Sequence, residues 1–263
     1  MQTSIAAALL LGGVALGASG FPWSGFVAAD APAPQFSVVP ARDASTRVGP
    51  VTQVTIDPAR GEVLLPAVLR HPSGSPGVDS WGTRSQAFLG CARAAGRPAE
   101  FLDWFIFVVD ASTQAVQDAL VRVGAKSKVH YSYVQAEDHK GFDEETTDAD
   151  YLQGDPMLIT IRWREGGEWR ELPYEDFFQE KVRTPSGAWV VKPWTPHFVF
   201  HGSGAIYATK AGCLACPGDC AGGLIANNQM PIYTALPILR FDWSKAPPEG
   251  TRIEVRLRPA VAR

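Results

Sequence analysis

A chain of 263 residues that is 46% hydrophobic and 19% charged has enough apolar side chain for a core, which excludes a globally disordered protein. Its net charge of −3, with no Lys/Arg-rich face in the pattern, excludes nucleic acid and anionic membrane surfaces as expected partners. The 25 glycines and 21 prolines suit a fold with many turns.

Ile5 to Leu16 is an unbroken run of apolar and small residues followed by Gly17-Ala18-Ser19-Gly20. The run is shorter than the ~20 residues that a bilayer span needs. It reads as a signal peptide over residues 1–20, cleaved after Gly20, or after Ala29, where Val27-Ala28-Ala29 also fits a small-x-small site. No Lys or Arg precedes it, a departure from the usual charged start. An uncleaved signal is the only membrane attachment expected. No cysteine precedes Cys91, so a lipid-bearing N-terminal cysteine is not expected. Residues 21–50 are rich in Ala, Pro and Ser without periodicity and read as a flexible tether, leaving 51–263 as the folded domain. Export would place that domain in the periplasm or cell envelope, where thiols tend to oxidise.

Val51 to Ile56 reads as a strand, Asp57-Pro58-Ala59-Arg60-Gly61 as turn chemistry, and Glu62 to Pro66 as the returning strand of a hairpin. His71 to Arg84, with Pro72-Ser73-Gly74-Ser75-Pro76-Gly77 within it, reads as a loop or an insertion. Asp103 to Val109 is apolar almost throughout, as a strand covered on both faces would be. A helix follows, capped by Asp110 or Ser112. Its apolar stripe is Val116, Ala119, Leu120 and Val123, and Gly124 stands at its end. Residues 137–150 hold Glu137, Asp138, Asp143, Glu144, Glu145, Asp148 and Asp150, but the spacing does not match an EF-hand, so a solvated loop is expected.

Met157, Ile159, Ile161 and Trp163 share one face of a strand while Thr160, Arg162 and Arg164 share the other, and Glu165-Gly166-Gly167-Glu168 turns it into Trp169-Arg170-Glu171-Leu172. Tyr174 to Val182 reads as a short helix with acids early and bases late. His197–Phe200 and Ala205–Thr209 read as short strands around a Gly202-Ser203-Gly204 turn. Ile253, Val255 and Leu257 give the last strand an inward face. The sum is about eight short strands with one or two packed helices: a single α+β domain with a mainly antiparallel sheet.

Several of these pieces together resemble the YdjY-type domain of bacterial envelope proteins. They are Val54-Thr55-Ile56-Asp57 leading to Val63-Leu64-Leu65-Pro66-Ala67, Glu100-Phe101 through Val109-Asp110-Ala111, and Val116-Gln117-Asp118-Ala119-Leu120 with Gly124. Ile159 to Trp163, Phe198 to Ser203 and Pro247 to Thr251 complete the order. The resemblance implies an exported, envelope-associated single domain, and some members of the family are described as ferredoxin-like. Against its usual spacing, the acidic loop and the Cys213–Cys220 segment look like insertions.

The chain has four cysteines, and Cys213, Cys216 and Cys220 share the spacing C-x2-C-P-x2-C, while Cys91 lies far upstream. Three readings fit. An iron–sulfur cluster or zinc would take Cys213, Cys216 and Cys220 with Cys91 or His201 as fourth ligand. Two structural disulfides would use all four thiols. A redox-active Cys213/Cys216 pair fits less well, because Pro217-Gly218-Asp219 makes a turn where such pairs open a helix. His197 and His201 are ~13 Å apart on a strand, so both do not bind one ion. Gly202-Ser203-Gly204 is neither a nucleophile elbow nor a dinucleotide fingerprint. No catalytic centre is identifiable, and a hydrolase using His197 or His201 is a distant third reading. The expected function is that of an exported accessory protein whose cysteine loop binds a cluster or metal for electron transfer with an envelope redox partner. The alternative is a non-enzymatic envelope interaction module held by structural disulfides.

Overall fold

Asp57 starts the architecture: its Oδ1 accepts the N–H groups of Ala59 and Arg60, tying the turn that joins strand β1 (Thr55–Asp57) to β2 (Glu62–Leu69). The computed structural model describes residues 54–71, 89–94, 97–128, 152–202, 211–220, 223–230 and 235–260. All belong to one compact unit, Ser45–Arg263. The signal, the tether, the acidic loop and the strand expected at 205–209 lie outside the described residues.

The chain continues through β3 (Leu89–Ala94), β4 (Arg97–Pro98), a 3-10 turn (Leu102–Trp104), β5 (Phe107–Ser112), helix α1 (Thr113–Arg122) and β6 (Ser127–Lys128). Then come β7 (Gln153–Glu165), β8 (Glu168–Pro173), a second 3-10 turn (Tyr174–Phe177), β9 (Phe178–Arg183) and β10 (Trp189–Pro193). The rest is β11 (Phe198–Phe200), β12 (Cys213–Cys216), β13 (Ile225–Asn227), β14 (Leu239–Phe241) and β15 (Arg252–Pro259).

Pairing follows β2–β15–β7–β11–β13–β12–β3, and β5 joins β3 back to β2. The sheet therefore closes on itself as an eight-stranded barrel. Its β12/β13 and β3/β5 seams are parallel and the others antiparallel. This corrects the expected α+β domain: the sheet is closed and mixed, and among the described residues there is one α-helix. Closure removes the unpaired edges an open sheet would expose. A separate three-stranded sheet runs β10–β9–β14.

The strands that alternate do so as expected. Met157, Ile159, Ile161 and Trp163 on β7, and Ile253, Val255 and Leu257 on β15, are all buried in the main core. Helix α1 begins where Ser112 accepts the N–H of Ala115, and Val116, Ala119 and Leu120 join the same core. The expected helix at 174–182 is instead a 3-10 turn followed by β9. Tyr174 and Phe177 are buried in the turn, and from Phe178 the burial alternates as in a strand, with Phe178 and Glu180 inward, because β9 is hydrogen-bonded to β10 and β14. Phe107 meets Tyr174, Phe177 and Phe241 edge-on, with ring centroids 5.4–5.9 Å apart. The strand expected from Asp103 starts only at Phe107, because Leu102–Trp104 turns first.

Candidate thiol centre

Cys213 and Cys216 are not on a loop: they are the two ends of β12, in the barrel wall. Three residues apart on a regular strand, they would point to opposite faces. The ladder between β12 and β3 slips, however, pairing Cys213 with Gly90 and Ala215 with Leu89. The extra residue of this bulge resets the alternation. Leu214 and Ala215 enter the main core, while Cys213 and Cys216 both join a second cluster with Ala92, Ala99, Phe105, Val108 and Ala211. Gly212 feeds the chain into the strand at φ +79, and a Cβ there would lie 2.3 Å from that of Ala99. Cys220 packs against the same cluster and is only partly buried.

The thiol of Cys216 hydrogen-bonds with those of Cys213 and Cys220. These contacts, then burial, push it well above the ordinary thiol range. A Cβ at Gly223 would lie 3.2 Å from the Cys216 Sγ, so the backbone passes tightly beside the sulfur.

Buried polar side chains hold the turn after β12. Asn227, fully buried, donates from Nδ2 to the Pro217 carbonyl at 3.0 Å and accepts the His197 N–H at 2.9 Å. Asp219, also fully buried, accepts the Leu152 N–H at 3.0 Å, and its own N–H donates to the Met230 carbonyl at 2.8 Å. Asn228 then donates to the Leu152 carbonyl and meets His197 Nδ1 at 2.7 Å. We expect Asn227→Ala to cost about 1–3 kcal/mol, since it orphans the buried Pro217 carbonyl and frees the part-buried His197 N–H. Denaturant unfolding would show this, and alkylation of Cys216 in the folded protein would quicken.

Cys91 stands on β3 beside this centre but faces the other way. With Leu89 it enters the main core, and its N–H donates to the Gly212 carbonyl at 2.8 Å. Burial, and secondarily the nearby Cys213, push its thiol well up. His201 is fully buried just after β11, where its N–H and that of Gly202 both reach the Leu224 carbonyl. Burial lowers its pKa to about 3, so the imidazole is neutral at physiological pH. His197, by contrast, is exposed. The expected Cys213/Cys216/Cys220 grouping is thus present, Cys91 is adjacent across the wall, and the two histidines stand at opposite ends of β11.

Tyr174 was missed from the sequence. Its hydroxyl is buried without a hydrogen-bond partner among the described residues. Burial first, then Cys216 and Cys213, push the phenol well above its usual range. A tyrosine opening a 3-10 turn carries no local signal of sulfur neighbours.

None of the four cysteines is bridged. Among the described residues, no group of three or more His, Cys, Asp or Glu side chains is arranged to hold a metal ion. The thiols touch without forming ligand geometry. No helix of the described residues is long and apolar enough to cross a membrane.

No curated protein and no solved structure matches the chain. A family model does: the YdjY domain matches residues 54–258, from the first strand to the last. The chain therefore belongs to the YdjY domain family.

Proposed function

We propose that this protein is an exported accessory domain of the cell envelope whose Cys213, Cys216 and Cys220 form a dithiol–disulfide centre for redox exchange. One observation carries the reading: Cys216 hydrogen-bonds with both other thiols of the trio, inside a wall strand and a tethered turn. The apolar run Ile5 to Leu16 supports export, and an exported protein meets oxidising surroundings. Thiols that already hydrogen-bond are close enough for the pairing to be tested directly, and a bond across β12 would draw its two ends together.

The chemistry is thiol–disulfide exchange with a partner disulfide. A thiol of the trio bonds to one partner sulfur, and the other partner sulfur leaves as a thiol. Cys216 or its neighbour then displaces the remaining partner sulfur, closing a bond within the trio. The trio loses two electrons and two protons, and the partner gains them as two thiols. Cys220, the partly exposed member, is where a partner sulfur gains access. Cys216 neighbours both other thiols and serves as the resolving sulfur; it is protonated at neutral pH, so its proton passes to the departing partner sulfur as the new bond closes.

A second reading is a soft metal ion or iron–sulfur cluster on the same sulfurs. It is favoured by three thiols meeting, one more than a disulfide uses. It requires the side chains to reorient, and Cys91, on the inner face of the wall, is a poor fourth ligand.

The test is protein recovered from its native compartment, alkylated at once, mapped for disulfides and assayed for metal. The dithiol reading predicts a Cys213–Cys216 or Cys216–Cys220 bond that reductant removes, without stoichiometric metal. Stoichiometric zinc, or iron with sulfide, would replace it by the second reading. Thiols that stay reduced and metal-free after treatment with a small disulfide would reject both.

A further inference from the structure

A separate cleft lies where the end of α1, the β1–β2 turn and the β7/β15 ladder meet. Its volume is about 610 Å³, within the range of small-molecule sites. Arg60, Lys126 and Arg258 line it against a single carboxylate, Asp155. That carboxylate is engaged, since its Oδ2 accepts the Lys126 N–H at 2.8 Å, and the Asp155 N–H returns to the Lys126 carbonyl at 2.9 Å. Arg60 has Asp57 at 3.8 Å, but among the described residues Lys126 and Arg258 have no ion pair. Lys126 and Arg258 are both exposed, so the lining carries three cations against one carboxylate. At the helix end the carbonyls of Ala119, Leu120 and Val121 accept the N–H groups of Val123, Ala125 and Gly124.

The lining also has an apolar part. Leu158 pairs with Arg258 across the β7/β15 ladder and is 43% exposed, on a strand whose core face is fully used. Val123, half-buried, lies beside it in the lining. Unpaired cations next to an exposed leucine suit a ligand that is charged at one end and apolar at the other. We propose that this cleft binds a small amphipathic anion, a carboxylate carrying a short alkyl chain, with its head between Lys126 and Arg258 and its chain on Leu158 and Val123. The thiol centre takes no part, so this site stands or falls separately from the redox reading.

The probe is sodium octanoate below its micelle concentration, titrated calorimetrically into the full chain, with octanol and inorganic phosphate as controls. Octanoate is expected to bind and to raise the unfolding temperature with concentration. Octanol and phosphate, each lacking half of the ligand, should bind at least ten-fold more weakly. The double variant Lys126→Gln/Arg258→Gln should lose at least ten-fold in octanoate affinity with its unliganded unfolding temperature unchanged, and Leu158→Asn should weaken octanoate but not phosphate. No octanoate binding at millimolar concentration, octanol or phosphate binding as tightly, or an unaffected double variant would each overturn the proposal.

Discussion

Gly154→Ala should destabilise the protein by on the order of 3 kcal/mol or more, the upper end of the cost of forcing extra atoms into a packed site. A Cβ at this position would lie 1.9 Å from the Phe200 carbonyl oxygen and 2.5 Å from its carbon. Both are backbone atoms, so no side chain can swing aside. The backbone itself cannot retreat cheaply. Phe200 is fully buried, and the next two residues are bonded to the Leu224 carbonyl. The clash falls on the β7–β11 seam, which has only two register pairs, Val199 with Pro156 and Phe200 with Asp155. Opening it breaks the barrel between its long antiparallel half and the short strands that carry the cysteines. Denaturant unfolding measures the loss, and an alanine tolerated within about 0.5 kcal/mol would mean that the seam is not the tight closure described.

Acid should act through His201. Its ordinary pKa of 6.5 falls to about 3 in the folded protein because burial penalises the imidazolium. The unfolded chain therefore binds a proton between those values that the folded one refuses. The contribution of this group is fully present above pH 6.5 and is lost as pH falls towards 3. At 1.36 kcal/mol per pH unit, the loss reaches about 3 kcal/mol by pH 4. His201→Gln removes the titration while keeping a polar side chain of similar reach. Its stability should fall with acid less steeply than that of the wild type, although it starts lower. Parallel pH profiles for the two proteins would show that His201 is not the buried neutral group described.

These two sites also show where the sequence was legible. Strands β7 and β15 and helix α1 could be read because each has one face on the core and one in solvent, so Met157 to Trp163, Ile253 to Leu257 and Val116 to Leu120 carry a clean period. The wall strands β3, β12 and β13 could not. Leu89-Gly90-Cys91-Ala92, Cys213-Leu214-Ala215-Cys216 and Ile225-Ala226-Asn227 are buried on both faces, short, and built from small residues. With no solvent face there is no alternation, and the parallel seams that close the barrel leave no turn signal between partners. Tyr174 to Val182 failed for another reason: the placement of acids and bases suggested a helix, and the pairing of β9 with β10 and β14 overrode it. At the site, proximity of Cys213, Cys216 and Cys220 followed from spacing alone. That they share one face, with Cys91 on the other, depends on a bulge that no local residue announces.

The most direct test of the account compares oxidation of Cys91→Ser and Cys216→Ser by a small disulfide reagent, with bonds mapped by mass spectrometry. Cys91→Ser should still form a reversible bond joining Cys216 to Cys213 or Cys220. Cys216→Ser, lacking the central sulfur, should form no intramolecular bond. A bond to Cys91 in the Cys216→Ser protein, or none in Cys91→Ser, would contradict a three-thiol centre organised around Cys216.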